Sequence, residues 1–329
     1  MKFGPVPITQ AKGAVLAHSV AISAGRLRKG RTVTDADITD MQASGVTEVI
    51  VAQLETGDSP EDSAAGQLAK AILSKGQGIS ATNAFTGRVN LIADSAGVVA
   101  LDVAAIEAIN AVHPMITIAT VPPWQQMAAG GMIATIKIIS YAVPQTAVDQ
   151  ACAAAGDAAI RLAQPKLGTA MLIITEIPGG VGDKGRLAIA SRLEALGVEL
   201  RATVMVQHQT DALSKAIAAA QGDLVLILTG SATSDPDDVA PAAVRKAGGQ
   251  VTRFGMPVDP GNLLFIGLIG NQHIIGLPGC ARSPALNGAD WVLSRVVCGI
   301  AVSARDIAAM GVGGLLKEIP TRPQPRRAP

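Results

Sequence analysis

The strongest constraint on this chain is a repeat of apolar runs, each followed by a loop and a helix-forming stretch, that begins at residue 169. The runs are Thr169–Thr175 (TAMLIIT), Val198–Val206 (VELRATVMV) and Leu224–Leu228 (LVLIL). LVLIL has no polar residue at either parity, so it reads as a strand covered on both faces of a parallel sheet. Helices are expected over Arg186–Leu196 and Thr210–Ala220, and from about Pro241. Strands and helices alternating in this way predict a doubly wound α/β domain with right-handed crossovers. Beyond Gly249, VTRFGMPV reads as a strand, and LLFIGLI and HIIGL around Gly270-Asn271 read as a hairpin. A helix from about Pro284 to Cys298 closes the domain.

At 329 residues the chain is long for one core, and two domains are expected. An Ala-rich helix over Gln145–Gln164 is broken by Pro165-Lys166-Leu167-Gly168, which sets the preferred boundary. That gives an α+β domain over 1–164, the α/β domain over 165–315, and a Pro/Arg-rich tail or linker over 316–329, ending PTRPQPRRAP. In the first half, strands are expected over Lys12–Val20, 46–52, Arg88–Ala93, Val98–Leu101, 115–121 and 132–143. Helices are expected over Asp35–Ser44 with Thr34 as cap, from Ser59-Pro60-Glu61-Asp62 to about Lys75, and from Asp102 to about His113. The basic cluster Arg26, Arg28, Lys29 and Arg31 reads as a solvated loop, and His18 and His113 stand alone. No chemistry is assigned to this half, which reads as a shaping or dimerising domain.

A net charge of +1 and 2% aromatic residues give no basis for nucleic-acid binding, by charge or by stacking. No apolar run reaches the roughly 18 residues a membrane helix needs, and MKFGPVPITQ lacks the apolar core of a signal peptide. Cys152, Cys280 and Cys298 are odd in number and lack metal-site spacing, so a reducing, cytoplasmic setting is expected.

Three loops attract chemical readings. The stretch after LVLIL, TGSATSDPDDVAP, is hydroxyl-rich and carries Asp235, Asp237 and Asp238 ahead of a helix; helix capping is its plainest reading. Gly180-Val181-Gly182-Asp183-Lys184-Gly185 fits GxGxxG, which makes a NAD-dependent oxidoreductase an alternative. The second strand, however, ends in Val206-Gln207-His208 with no acid to hold a ribose, and Glu176-Ile177-Pro178 separate the glycines from the first strand. What remains is an anion site made of backbone N–H groups and Lys184. In Gly276–Pro284 (GLPGCARSP), N–H groups, Arg282 and Ser283 can face one phosphate, while Cys280 reads as a small residue in a tight turn.

Thr229-Gly230-Ser231-Ala232-Thr233, Asp238-Val239-Ala240-Pro241, Pro260-Gly261-Asn262 and Gly276-Leu277-Pro278-Gly279 followed by Ser283 occur in that order. Together they resemble the molybdopterin-binding domain shared by molybdopterin adenylyltransferases and molybdopterin molybdotransferases, over roughly residues 165 to 300. LRKGR, DITDM, GVTEVIV and GRVNLIA loosely resemble molybdotransferase N-terminal domains. Ser231 stands where that family has glycine, Cys280 where it has asparagine, and His208 near a family aspartate; the family's Asp-Gly-Tyr-Ala signature is not seen in residues 1–145. The resemblance implies molybdopterin, or its nucleotide form, as ligand or substrate in molybdenum cofactor biosynthesis or modification. It places Thr229, Gly230, Ser231, Thr233, Gly279, Cys280, Arg282 and Ser283 around the phosphate and pterin. Asp238 takes the role of catalytic, Mg²⁺-holding carboxylate. It further implies a homo-oligomer and, by analogy, service to a nucleotidyltransferase partner; a non-catalytic docking scaffold is a further alternative.

Overall fold

The structure, a computed structural model, describes residues 1–73, 78–156 and 159–316. From residue 317 on, the expected Pro/Arg tail lies outside the described residues. The chain divides into two compact units. One comprises Met1–Asp94, Val99–Pro123 and Ala129–Leu162; the other comprises Ser95–Val98, Trp124–Ala128 and Ala163–Pro329.

The C-terminal unit is built on six strands: β1 (Thr169–Glu176), β2 (Glu199–Gln207), β3 (Leu224–Leu228), β4 (Gln250–Phe254), β5 (Phe265–Ile269) and β6 (Gln272–Leu277). They form one sheet in the order β2-β1-β3-β6-β5-β4. β2, β1, β3 and β6 run parallel, as the alternating pattern requires. β5 and β4 are antiparallel, so the sheet is mixed rather than wholly parallel. The reversal comes from the Gly270-Asn271 turn, where Gly270 takes φ +58, a conformation most side chains resist.

Helices α1 (Arg186–Glu194), α2 (Thr210–Ala218), α3 (Val239–Lys246), α4 (Gly288–Val297) and α5 (Ala304–Ala309) complete the unit. On one face Leu172, Ile174, Leu224 and Leu226 pack with Ile189 and Leu193 of α1 and Val292 and Val296 of α4. On the other face Ile173, Val225 and Ile227 pack with Leu213 and Ile217 of α2 and Ala243 and Val244 of α3. All five residues of β3 are buried, which accounts for the missing polar parity in LVLIL. At about 1.5–3 kcal/mol per fully buried aliphatic side chain, this strand is a principal source of the unit's stability.

The helix ends differ from the expectations for local reasons. α3 begins at Val239 rather than Pro241, because Asp238 caps it and proline is tolerated in a first turn whose N–H groups lack helical partners. α4 begins at Gly288 rather than Pro284, since Asn287 and Asp290 form a reciprocal capping box there. Gly279–Arg282 is a short 3-10 turn instead of a lead-in to the helix.

In the N-terminal unit, Thr34 and Asp37 form the capping box of the expected helix, Asp35–Ala43. Other expectations change. The single strand expected over Lys12–Val20 is reduced to Val15–Leu16, and a separate strand, Val20–Ile22, follows. Ser59 does not cap a helix but lies in the strand Asp58–Pro60, paired with Ala142–Pro144; the helix Glu61–Ile72 begins after Pro60. Its expected end near Lys75 falls outside the described residues. The single strand expected over 132–143 is two, Met132–Ile138 and Ala142–Pro144, in different sheets. The Ala-rich helix stops at Ala154, where Gly156 at φ +55 turns the chain, and Ile160–Ala163 is a strand.

Asp223 ties the entry to the sheet together. Its Oδ2 accepts hydrogen bonds from the N–H groups of Gly168 and Thr169 and from the Thr169 hydroxyl, each at 2.9 Å. The Gly168 and Thr169 donors hold its carboxyl below the usual aspartate range. A depressed carboxyl stabilises the fold above its unfolded pKa of roughly 3.9 and loses that contribution as pH falls through the folded value. Acid titration monitored by circular dichroism is expected to show unfolding at a higher pH for a variant lacking other stabilisers, and Asp223→Asn is expected to flatten the acid limb of wild-type stability.

Candidate functional site

The loops after β1, β3 and β6 leave the carboxyl ends of three neighbouring parallel strands. The chain moves from β2 across to the far side of β1 to form β3, so the strand order switches between β1 and β3. Open α/β sheets bind their ligands at such a switch point, outside the carboxyl ends of the strands.

The β3–α3 loop holds its shape with short-range bonds. Thr229 and Thr233, both buried, bring their hydroxyls to 3.3 Å. Asp238 accepts from Ser234 N at 3.0 Å through Oδ2 and from Val239 N at 2.7 Å through Oδ1. Asp237 N donates to Asp235 Oδ1, and Arg245 reaches back to Asp237 Oδ1 and Pro236 O. Among the described residues, no hydrogen bond engages the N–H groups of Ser231, Ala232 or Thr233. Gly230 differs, because its N–H donates to Thr175 Oγ1 at 2.9 Å and is already used by the protein. It must be glycine, since a Cβ there would lie 2.6 Å from the Thr175 carbonyl oxygen.

Arg282 connects the three loops. Its Nη2 donates to the Thr229 carbonyl at 2.5 Å, and a Cβ on Gly185 would meet the Arg282 Cα at 2.8 Å. Its Nε is buried with no hydrogen-bond partner. Burial holds the guanidinium below its ordinary value. The structure therefore brings Gly185, Thr229, Gly230, Thr233 and Arg282 to one place. Lys184 is exposed on the β1–α1 loop, and Ser283 is exposed with its Oγ accepting from Ala285 N. Gly279 is exposed and Cys280 half-buried in the 3-10 turn.

Three residues that the sequence reading left without a role shape this region. Thr175, the penultimate residue of β1, holds its hydroxyl 2.8 Å from His208 Nδ1. Arg192, on α1, donates to Asp290 Oδ1 and to the carbonyls of Ala188, Ala281, Ser283 and Ala285. It thereby fastens the 281–285 segment to the helix. Nothing local in SRLEAL marks Arg192 out, because its partners lie some 90 residues further on.

Among the described residues there is no group of three or more His, Cys, Asp or Glu side chains able to hold a metal. A Mg²⁺ that keeps several waters and shares a substrate phosphate needs only one or two carboxylates. Asp238 has lone pairs beyond the two that its backbone donors use. The donor set thus fits a phosphate-bridged Mg²⁺ and not a self-contained metal cage. No helix is long and apolar enough to cross a membrane, among the described residues.

The fold is thus that of an open α/β protein whose β1, β3 and β6 loops leave the sheet at its switch point. Residues 165–296 match the family model described as "Probable molybdopterin binding domain", and residues 5–53 match "Domain of unknown function (DUF8806)". The molybdopterin-binding match thus lies in the C-terminal part of the chain, over less than half of its length. It is similar to a molybdopterin biosynthesis MoeA protein from Pyrococcus horikosii at 14% identity, covering 91% of this chain and 75% of that one, with a TM-score of 0.32. It is also similar to a molybdopterin biosynthesis protein from Mycobacterium abscessus at 16% identity, covering 40% of this chain and 92% of that one, with a TM-score of 0.29. No curated protein matches the chain.

Proposed function

We propose that the C-terminal unit binds molybdopterin, or its nucleotide form, by the phosphate at the carboxyl ends of β1, β3 and β6, for molybdenum cofactor biosynthesis or modification. The observation that carries this reading is the unengaged run of N–H groups at Ser231, Ala232 and Thr233 beside a half-buried Arg282 whose Nε has no partner. Oriented N–H groups and a partly desolvated guanidinium suit a dianionic phosphate, which would give the buried Arg282 Nε the partner it lacks. Asp238 closes the loop and is the carboxylate that would hold Mg²⁺; the metal would neutralise charge on the phosphate during transfer. The nicotinamide alternative is disfavoured by the order β2-β1-β3, since dinucleotide-binding sheets place their first three strands as 3-2-1.

Isothermal titration of the purified chain with molybdopterin is expected to give a micromolar or tighter complex. Arg282→Ala is expected to weaken it about tenfold or more, the worth of one hydrogen bond to a charged group. Asp238→Ala loses both the loop closure and the helix cap, at about 1 kcal/mol of stability for the cap. Asp238→Asn keeps one acceptor oxygen for the cap but loses the second acceptor and the charge, so it should cost less stability than Asp238→Ala and lose any Mg²⁺ dependence of binding. Binding unchanged in both Arg282→Ala and Asp238→Ala would remove the site from this crevice.

A further inference from the structure

The Thr175–His208 pair at the ends of β1 and β2 has a fixed hydrogen-bond polarity. Thr175 is 1% exposed, and its Oγ1 already accepts the Gly230 N–H at 2.9 Å. His208 Nδ1 lies 2.8 Å from the same oxygen. If Nδ1 carried the proton, Oγ1 would receive two donors and its own hydrogen would be buried without an acceptor. Leaving such a donor unsatisfied incurs the desolvation cost of that group with nothing to offset it. The arrangement that satisfies every group has the threonine hydroxyl donating to Nδ1, so the neutral imidazole carries its hydrogen on Nε2. No hydrogen bond or ion pair engages Nε2 among the described residues. The backbone beneath is anchored, since His208 N donates to the Glu176 carbonyl at 2.9 Å.

We propose that His208 is a ligand-contacting residue of the crevice, presenting an oriented Nε2–H to an oxygen of the bound phosphate. This inference rests on the phosphate-binding reading above and adds a donor from the end of β2. It also gives Thr175 a positioning role. One hydroxyl sets the imidazole tautomer and at the same time takes up the Gly230 N–H, so the direction of the histidine donor and the shape of the β3–α3 turn are set by the same atom. The binding wall then spans the ends of β2, β1 and β3.

The test uses the full chain at pH 8 with inorganic phosphate as probe, followed by nitrogen-15 NMR of the imidazoles and backbone amides. Before phosphate is added, His208 is expected to carry its hydrogen on Nε2; a hydrogen on Nδ1 overturns the inference. Phosphate is expected to shift both the Ser231–Thr233 amides and His208 Nε2. Shifted amides with an unmoved Nε2 would overturn the histidine role and leave the phosphate site standing, whereas no shift in either would remove both. His208→Asn keeps an acceptor near Nδ1 for Thr175 but loses the outer donor, and is expected to weaken phosphate binding about tenfold. His208→Gln, which returns an N–H near the Nε2 position, is expected to restore most of it. Equal affinity in wild type and His208→Asn also overturns the inference. Thr175→Val is expected to lose the Nε2–H preference and Thr175→Ser to retain it, a spectroscopic readout that general destabilisation would not produce.

Discussion

Gly276→Ala is expected to destabilise the C-terminal unit by about 3 kcal/mol, the upper end of what overpacking a core costs. Gly276 and Phe265 face each other across the β5–β6 ladder, and a Cβ on Gly276 would sit 1.9 Å from the Phe265 ring. The ring is 1% exposed and belongs to the core layer formed with Ile173, Ile227 and Ile274, so it has no empty space to move into. Urea denaturation followed by circular dichroism measures the loss. Combining Gly276→Ala with Phe265→Leu is expected to recover part of it, because each change relieves the other's misfit. A double variant no more stable than the additive expectation would show that the glycine serves another purpose. The glycine opening GLPG is therefore set by packing three positions before the 3-10 turn begins, independently of any ligand.

Arg192→Ala is the second large effect. Its guanidinium spans α1, the 281–285 segment and Asp290, whose other oxygen accepts the Asn287 N–H that opens α4. Both partners of the ion pair are largely shielded from water, at 11% and 15% side-chain exposure. Removing one partner of such a pair strands the other, at a typical cost of about 3–5 kcal/mol. Arg192→Lys is expected to rescue little, because an ammonium cannot reach several divergent acceptors as a planar fork does. Hydrogen exchange read by mass spectrometry is expected to show residues 279–290 losing protection first in both variants. Uniform loss across the unit, or none at all, would count against a local clamp.

How much of this was legible in the sequence depended on the range of the interactions. LVLIL revealed a doubly covered strand because burial at both parities leaves a mark within five residues. Gly270-Asn271 revealed a hairpin because turn chemistry is local, and Thr34 revealed a helix start for the same reason. Ser59 misled because Ser-Pro-Glu is a helix-start pattern, whereas its pairing with Val143 is set 84 residues away. The site divided along the same line. The loops at 229–238 and 279–283 stood out by their residues, but Thr175, Arg192 and His208 act through partners between 33 and 98 positions distant. Gly230 shows the finer limit: it stood out as part of the turn, yet the use of its N–H by Thr175 belongs to the fold.

The bonds that shape the β3–α3 loop have one more consequence. Thr229 to Thr233, Ser234 to Asp238 and Asp235 to Asp237 each join residues no more than four apart. With the Thr175 hydroxyl on Gly230 N and Arg282 on the Thr229 carbonyl, these bonds complete the shape of the loop before any ligand arrives. The ordering entropy is met during folding, so docking a phosphate there need not include a slow rearrangement, and association should be limited by encounter rather than by loop closure. Grafted behind the third strand of another sheet of this order, the segment should carry its geometry with it only if a hydroxyl for Gly230 N and a donor for the Thr229 carbonyl are grafted too.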